Sequence, residues 1–251
     1  MLNLKRKFFL FFAYVVNALG VCLIIPLLSV AADNNQDGQI EIYQPLTEYE
    51  KNILEQAVED NQKSMFQNKM AFFFEIPYFE VALTLTNFTP IRERKAFKAA
   101  EIIQQVLNSK EFKEQLINFT YNNEKQFANN EDLTNEEIYE KIISGEEVLI
   151  SGLNYQMDLV VSSYYKKFTS TVGYTYPNIN KIYVNAKFYD HYNPAQIAGN
   201  FVHEWCHKLG FIHDYNRTAR RAYSVPYAVG YIVEKLGEKY LDNLDREEEF
   251  N

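Results

Sequence analysis

Eleven consecutive residues of this 251-residue chain, 203–213 (HEWCHKLGFIH), contain three of its four histidines. Successive residues of an α-helix lie about 100° apart, so His203 and His207 share one helix face, a single turn from each other. Gly210 follows closely, and a residue without Cβ can adopt the left-handed conformation that ends a helix. We therefore expect the chain to turn at Gly210 and to return His213 toward the other two imidazoles, where one metal ion can bind all three.

The composition of this ligand set indicates the metal and its use. Three histidine ligands leave the fourth position of a tetrahedral zinc ion open to water, which is typical of catalytic rather than structural zinc sites. Glu204 projects beside the ligand face, where its carboxylate can reach that water but not the metal. We predict one Zn²⁺ per chain, bound by His203, His207 and His213, with Glu204 as the general base.

The complete pattern H-E-x-x-H-x-x-G-x-x-H in residues 203–213 resembles the zinc-binding motif of the metzincins, a group of zinc endopeptidases. The resemblance implies an α+β, zincin-type fold, with a twisted, mostly N-terminal sheet and long helices. One helix would carry the first two ligands, and another would form the C-terminus. It also implies an edge strand that borders the cleft and pairs with extended substrate, and residues 181–185 lie at its position. The expected partner is a protein or peptide substrate, hydrolysed by zinc-bound water that Glu204 activates.

One part of the metzincin pattern is missing. Members of that group place a methionine in a tight turn beneath the zinc, whereas this chain has no methionine after Met157. The corresponding stretch, residues 224–228, has the sequence SVPYA. We expect Pro226 to lie under the histidines instead, and Tyr223 or Tyr227 to reach the cleft, where a hydroxyl can donate to the tetrahedral oxyanion. Ordinary packing of either tyrosine is the alternative.

Two other functions fit the same motif. The chain could be a catalytically silent zinc-binding protein, which the missing methionine favours, or a surface interaction protein on a zincin fold. Glu204 favours the enzyme, because a purely structural metal site has no use for a general base. Cys206 is expected to be a buried, inert thiol rather than a ligand. His191 is expected in an exposed loop, with a role in the cleft as the alternative.

The N-terminus has the three parts of a secretory signal peptide. Residues 5–7 (KRK) form a basic tip, residues 8–28 are mostly apolar, and residues 29–32 (SVAA) offer small residues for cleavage. We therefore predict that residues 1–32 are a signal peptide and that the protein is exported, either secreted or periplasmic. The apolar run approaches the roughly 20 residues that span a bilayer, so a membrane anchor through residues 8–28 is the alternative.

Charge and composition restrict the partners further. The formal net charge is −8, from 25 basic and 33 acidic residues. An acidic surface repels phosphate backbones, which excludes nucleic acid as a partner class. Membrane contact is expected only through the N-terminal segment, if it is uncleaved. Apolar residues make up 47% of the chain and aromatic residues 16%, which indicates a packed core rather than disorder.

The remaining chain is predicted to contain a mainly helical region, residues 33–130, and a zinc metallopeptidase region, residues 131–251. The first region is either a prodomain or part of the catalytic domain. Within it, residues 33–44 are predicted to be a polar linker, and in the second region residues 173–178 are predicted to be a turn-rich loop. Helical periodicity and capping residues predict helices over 46–70, 92–107, 112–119, 134–145, 194–209 and 225–241, and alternation predicts strands within 72–88, over 157–161 and over 181–185.

Overall fold

The computed structural model describes residues 41–65, 78–150 and 152–249. The predicted signal or anchor segment and the first eight residues of the predicted linker lie outside these ranges, so export stays a prediction. Across the described ranges, no helix is both long enough and apolar enough to cross a bilayer.

A mixed sheet of five strands runs through the described part of the chain. Its strands are β1 (Glu41–Tyr43), β2 (Glu80–Thr86), β3 (Gln156–Tyr164), β4 (Gly173–Tyr176) and β5 (Ile179–Asn185). Their order across the sheet is β1-β4-β5-β3-β2. β2, β3 and β5 run parallel, β4 is antiparallel to β5, and β1 is antiparallel to β4. The sheet therefore has β1 at one edge and β2 at the other.

Seven α-helices accompany the sheet in the described residues, and the α+β class is confirmed. They are α1 (Glu48–Met65), α2 (Pro90–Leu107), α3 (Lys110–Ile117), α4 (Asn135–Ser144), α5 (Ala186–Tyr189), α6 (Pro194–Lys208) and α7 (Val225–Glu249), and a 3₁₀ turn spans Arg221–Tyr223. The predicted start and end of α4 are confirmed. Thr134 and Glu137 form a reciprocal capping box, and Gly145 ends the helix in the left-handed conformation, with φ 66°.

One core unites these elements. α2 packs against β2 and α6, and α6 in turn contacts the central strands and α7. The buried side chains include residues from both sides of residue 130, for example Phe79, Phe112, Trp205 and Ile232. All described residues belong to one compact unit. The division at residue 130, and any processing there, stays a prediction, and both regions contribute to the same core.

The crossing of α6 and α7 depends on two glycines. A Cβ atom at Gly199 would lie 2.7 Å from the carbonyl oxygen of Gly230, and a Cβ at Gly230 would lie 2.8 Å from that of Gly199. Side chains at either position would collide with backbone, so the two helices approach this closely only because both residues are glycine. The same Cβ at Gly230 would lie 3.2 Å from Cβ of His203, which places the crossing beside the predicted metal site.

Three local predictions are wrong. Residues 41–43 of the predicted polar linker form β1, and residues 173–176 of the predicted loop form β4. Short strands of this kind gain their stability from pairing with a neighbour, which is not encoded in their local sequence. The segment 181–185 is a strand, as predicted, but β5 is hydrogen-bonded to β3 on one side and β4 on the other. It therefore has no free edge for an extended substrate.

Candidate metal centre

The ligand helix α6 begins and ends where its local sequence directs. The side chains of Asn193 and Gln196 accept hydrogen bonds from each other's backbone N–H, at 2.9 and 3.0 Å, which closes a capping box. Pro194 occupies the first turn, as predicted. Gly210, just beyond the other end, has φ 94°. A Cβ there would meet only Val148 Cγ2, at 3.4 Å, so conformation rather than space requires the glycine.

Contacts behind the ligand face hold α6 in place. Trp205 is fully buried, and its Nε1 donates a 2.6 Å hydrogen bond to Oε1 of Glu147. Near the end of the helix, Lys208 Nζ donates to the carbonyls of Tyr176 and Ile179, at the turn between β4 and β5. Burial lowers the pKa of Lys208 to about 8. These contacts fix the rotation of α6 relative to the sheet, and with it the direction of the ligand face.

Backbone carbonyls orient two of the three imidazoles. His207 Nδ1 lies 2.7 Å from the carbonyl oxygen of Phe211, and His213 Nδ1 lies 3.1 Å from that of Asp214. A carbonyl oxygen only accepts hydrogen bonds, so each Nδ1 carries the proton and each Nε2 keeps its lone pair. This is the tautomer in which a histidine binds metal through Nε2, with its other nitrogen held by an outer contact.

The three predicted ligands converge. His203, His207 and His213 each offer a nitrogen, and these atoms all lie within 4.8 Å of one another. Nitrogens bonded to one ion at about 2.1 Å are at most about 4.2 Å apart, so the cluster is close to a ligating arrangement. Nε2 of each ring is buried and has no hydrogen-bond partner within the described residues. Buried polar atoms are otherwise almost always satisfied, and a shared metal ion would satisfy all three.

Burial also sets the protonation of the cluster. It lowers the pKa of His203 and of His207 well below the ordinary value, and it lowers that of His213 to about 4. The neighbouring imidazoles and the Arg221 guanidinium lower the pKa of His203 further. Neutral imidazole is the form that ligates metal, so the cluster is ready to bind an ion at neutral pH without losing protons.

Glu204 lies beside this cluster and next to β4. Its side chain is fully buried. A Cβ atom at Gly173, the first residue of β4, would lie 2.9 Å from Oε1 of Glu204, so the glycine leaves room for the carboxylate. The predicted general base is therefore on the same buried side of the sheet as the histidines. Its position between α6 and the β4 strand follows from the helix rotation described above.

Tyr227 is the predicted tyrosine that reaches the histidines. It is almost fully buried, and its ring centroid lies 4.4 Å from that of His203 and 4.8 Å from that of His213. Its hydroxyl accepts a hydrogen bond from the backbone N–H of Gln44, at 3.3 Å, and donates to the carbonyl of the same residue, at 3.1 Å. Burial raises the pKa of Tyr227 to about 12, so the hydroxyl remains protonated.

Tyr223 lies in a different environment. Its ring centroid is 5.0 Å from that of Tyr121 and 6.2 Å from that of Phe119, and none of its ring contacts in the described residues involves a histidine. The backbone of Pro226 partly offsets the lowering of the His203 pKa. The segment after His213 passes the cluster, with the Tyr227 ring against His203 and His213. A role of either tyrosine toward substrate stays a prediction.

No family model, curated protein sequence or solved structure matches this chain. The zincin and metzincin resemblance therefore rests on the motif, and the functional assignment rests on the chemistry of the site. In the described residues, His203, His207 and His213 are the one group of at least three potential ligands close enough to share an ion. This group could hold a metal ion. That the ion is zinc stays a prediction from the motif.

The structure adds three residues to the site that the sequence did not single out. The ring of Tyr43 lies 4.4 Å from that of His203, centroid to centroid. The Arg221 guanidinium carbon lies 4.6 Å from the ring centroid of Tyr227, and Glu50 accepts a 2.9 Å hydrogen bond from Arg221. Glu50 and Arg221 are 171 residues apart, so no local pattern could pair them. Thr47 and Glu50 form the T-x-x-E pattern of a helix start, which predicts a cap but not an ion pair.

Two residues that were considered for the site lie outside it. Cys206 is a free, fully buried thiol, and burial raises its pKa, as expected for an inert cysteine. His191 is exposed in the loop before α6, where its backbone N–H donates to the carbonyl of Phe188. Neither residue belongs to the histidine cluster.

Proposed function

We propose that this chain is a zinc-dependent endopeptidase of the metzincin type. The single observation that carries the proposal is the convergence of His203, His207 and His213 in a buried cluster, with Glu204 on the same helix. Three neutral imidazoles form a ligand set that suits zinc and leaves one coordination position for chemistry. The mixed sheet, the ligand helix α6 and the long C-terminal helix α7 are compatible with the zincin fold.

The proposed chemistry divides between the metal and the chain. His203, His207 and His213 would hold the zinc ion, which would supply a water of lowered pKa and polarise the substrate carbonyl. The carboxylate of Glu204 accepts a proton from the attacking water as the water oxygen bonds to the carbonyl carbon. When the C–N bond breaks, the same carboxyl returns the proton to the leaving nitrogen. Tyr227, whose hydroxyl already binds peptide backbone groups at Gln44, is the proposed donor to the oxyanion.

The proposed substrate is a protein or peptide in extended conformation. The Tyr227 hydroxyl binds backbone groups rather than a side chain at Gln44, so this contact does not select a particular sequence. The chain has a net charge of −8, which repels the phosphate backbone, so nucleic acid is not a proposed partner. We further propose that the protein is exported through residues 1–32, with an anchor at residues 8–28 as the alternative.

A catalytically silent metal protein is the second proposed function, and one observation favours it. The buried Nε2 atoms of all three histidines have no access to solvent in this structure. A permanently closed site would hold metal without turning over substrate. The two functions differ in whether the site opens, and peptide cleavage separates them.

The experiment uses the purified protein with measured metal content and a diverse peptide library, analysed by mass spectrometry with and without a chelator. Glu204→Gln should keep about one zinc per chain but lose most cleavage, by a factor of at least about 100, because it removes the base and no ligand. His213→Ala should instead lose metal. Glu140→Gln, an exposed residue of α4, is the matched control and should cleave like wild type.

Cleavage by Glu204→Gln at the wild-type rate would rule out the proposed mechanism. Stoichiometric zinc with no cleavage of any peptide, in wild type as in the variant, would favour the silent metal protein.

A further inference from the structure

The edge of β4 next to the metal cluster is already occupied by a segment of the chain itself. β1 pairs with β4 in antiparallel register, with Tyr43 opposite Gly173 and Ile42 opposite Tyr174. The N–H of Val172 donates a 3.0 Å hydrogen bond to the carbonyl of Tyr43. Gly173 is the residue that leaves room for Glu204, so the pairing runs directly past the proposed general base.

The same segment reaches the histidines. The Tyr43 ring lies 4.4 Å from that of His203 and stacks on Tyr227 at 5.6 Å, centroid to centroid. The N–H of the next residue, Gln44, donates to the Tyr227 hydroxyl, and the Gln44 carbonyl accepts a hydrogen bond from the same hydroxyl. Residues 41–44 therefore make three kinds of contact at the site. They pair with β4, they place the Tyr43 ring against His203, and they bind the Tyr227 hydroxyl through the backbone of Gln44. This is how an extended peptide would lie across the site.

The consequence is a closed site. Nε2 of His203, His207 and His213 is inaccessible to solvent, and so is Nδ1 of His203. The Tyr43 ring covers His203, and the Tyr227 ring covers His203 and His213. Tyr227 belongs to the long helix α7 and is fixed in the core, whereas Tyr43 belongs to a strand of three residues at a sheet edge. Short edge strands are among the elements that open at the lowest free-energy cost.

The residues that follow this strand are anchored independently of it. The pairing with β4 ends at Tyr43, and the chain cannot extend it at Pro45, which has no N–H. Beyond it, Glu50 holds the start of α1 through its hydrogen bond to the buried Arg221, and Leu54 of α1 is fully buried in the core. The anchored helix can therefore stay in place while residues 41–44 leave the edge of β4.

We propose that residues 41–44 are an internal strand that closes the metal centre and competes with peptide for the edge of β4. The site opens when this strand leaves, and Tyr43 is its main barrier. The consequence for catalysis rests on the proposed peptidase function. The consequence for metal access does not, because it depends only on which groups cover the histidines.

The test is the rate at which a chelator removes zinc from the loaded full chain. Tyr43→Ala should speed removal by about tenfold, the factor that corresponds to a loss of about 1.4 kcal/mol of aromatic and strand contacts. Tyr49→Ala, on α1 with a side chain 67% exposed, is the matched control and should leave the rate unchanged. Equal rates for wild type and Tyr43→Ala would overturn the proposal.

A second variant should slow zinc removal. Its result stays informative even if the Tyr43→Ala protein does not fold. Ile42→Cys combined with Tyr174→Cys joins two residues that are directly opposite in the β1–β4 register, where a disulfide can form. The oxidised protein should lose zinc more slowly than wild type, and a reductant should restore the wild-type rate. A removal rate that oxidation does not change would contradict the proposal.

Peptide cleavage separates this inference from the proposed function. Faster metal removal from Tyr43→Ala with no cleavage would support the closing strand and contradict the peptidase. Cleavage by wild type that neither Tyr43→Ala nor the disulfide alters, together with unchanged metal removal, would support the peptidase and contradict the closing strand. If both hold, Tyr43→Ala should also cleave faster than wild type.

Discussion

Tyr223 and Tyr227, the two tyrosines considered for the site after His213, make different contacts. Tyr227 lies against His203 and His213, whereas Tyr223 lies against Phe119 and Tyr121. Both positions carry the same side chain near the same motif, so sequence spacing alone left them equivalent. Of the two, only Tyr227 contacts the histidine cluster, so the role proposed for a tyrosine at this site is assigned to it.

Conservative substitution should separate them. Because Tyr227 also binds Gln44, the comparison is made in the Tyr43→Ala background, where the closing strand is weakened. There, Tyr227→Phe should lower kcat by about tenfold or more through loss of one hydrogen-bond donor, with zinc content unchanged. Tyr223→Phe is the control and should keep kcat within about twofold. A fall in kcat at Tyr223 alone would contradict this assignment.

At the scale of elements, the position of α6 relative to α7 determines where two ligands lie. The crossing allows no side chain at Gly199, because the obstacle is the carbonyl of Gly230, which is part of the α7 backbone. Further along α7, a Cβ at Gly237 would lie 2.6 Å from Cγ2 of Ile102, on α2, and 3.2 Å from Cβ of Ala195, on α6. The obstacles at Gly237 are side-chain atoms, whereas the obstacle at Gly199 is backbone, so the two glycines differ in what an added methyl must displace.

Gly199→Ala should therefore destabilise the fold by about 1–3 kcal/mol, as measured by chemical denaturation, and should reduce zinc content by displacing His203. Gly237→Ala is the matched comparison and should cost less, since a side chain rather than backbone must move. Equal costs at the two positions would mean that the helices adjust freely at their crossing.

The loop that precedes α6 is fixed to α2 by an ion pair. Arg92 donates two hydrogen bonds to the carboxylate of Asp190, at 2.6 and 2.8 Å, and Lys95 donates to the carbonyls of Asp190 and Tyr192. The hydrogen bond from Arg92 lowers the pKa of Asp190 below its ordinary value. The carboxylate is 45% exposed, so solvent limits the energy of the pair.

A group with a lowered native pKa stabilises the fold above its unfolded pKa, near 4, and loses that contribution as pH falls through the native value. Asp190→Asn should thus lower the free energy of unfolding by about 0.2–1 kcal/mol at pH 7, with the difference from wild type vanishing in acid. Denaturant titrations at several pH values measure this. The exposed Asp242→Asn is the control and should match wild type throughout. A difference that persists unchanged in acid would exclude the ion pair as its source.

For the molecule as a whole, a buried ion pair joins the N-terminal region to the site. Glu50 and Arg221 have side chains 5% and 1% exposed, and Glu50 also accepts from Thr47 and Arg217. Arg221 in turn lies over the ring of Tyr227, which contacts the ligands. The described part of the region 33–130 therefore contacts the histidine cluster through Arg221 and Tyr227, and it contains β1, the strand proposed to close the site.

Breaking this pair should be costly, because the partner is left buried without compensation. Glu50→Gln should lower the free energy of unfolding by about 3–5 kcal/mol, seen as a lower denaturation midpoint at neutral pH. Glu48→Gln, two residues earlier and with a side chain 86% exposed, should change it by less than about 0.5 kcal/mol. A cost at Glu50 no larger than at Glu48 would mean that Arg221 is not held by this carboxylate.

The local features of the ligand helix could be predicted from sequence. The Asn193 cap, the four-residue spacing of His203 and His207, and the turn at Gly210 each depend on residues within a few positions of one another. Their conformations follow from backbone sterics and helix geometry, which are the same in any surroundings. The set of potential metal ligands was accessible for that reason, whereas the α+β class was predicted only from the resemblance of the motif.

Only the tertiary structure decided what surrounds those ligands. Tyr43 meets His203 across 160 positions of sequence, and Glu50 meets Arg221 across 171. β1 becomes a strand because the edge of β4 is beside it, although its own sequence resembles a linker. Such contacts are selected by the packing of the complete core, and each is one of many that the same residues could make. The sequence thus determined which atoms can bind a metal, and the fold determined which strand covers them.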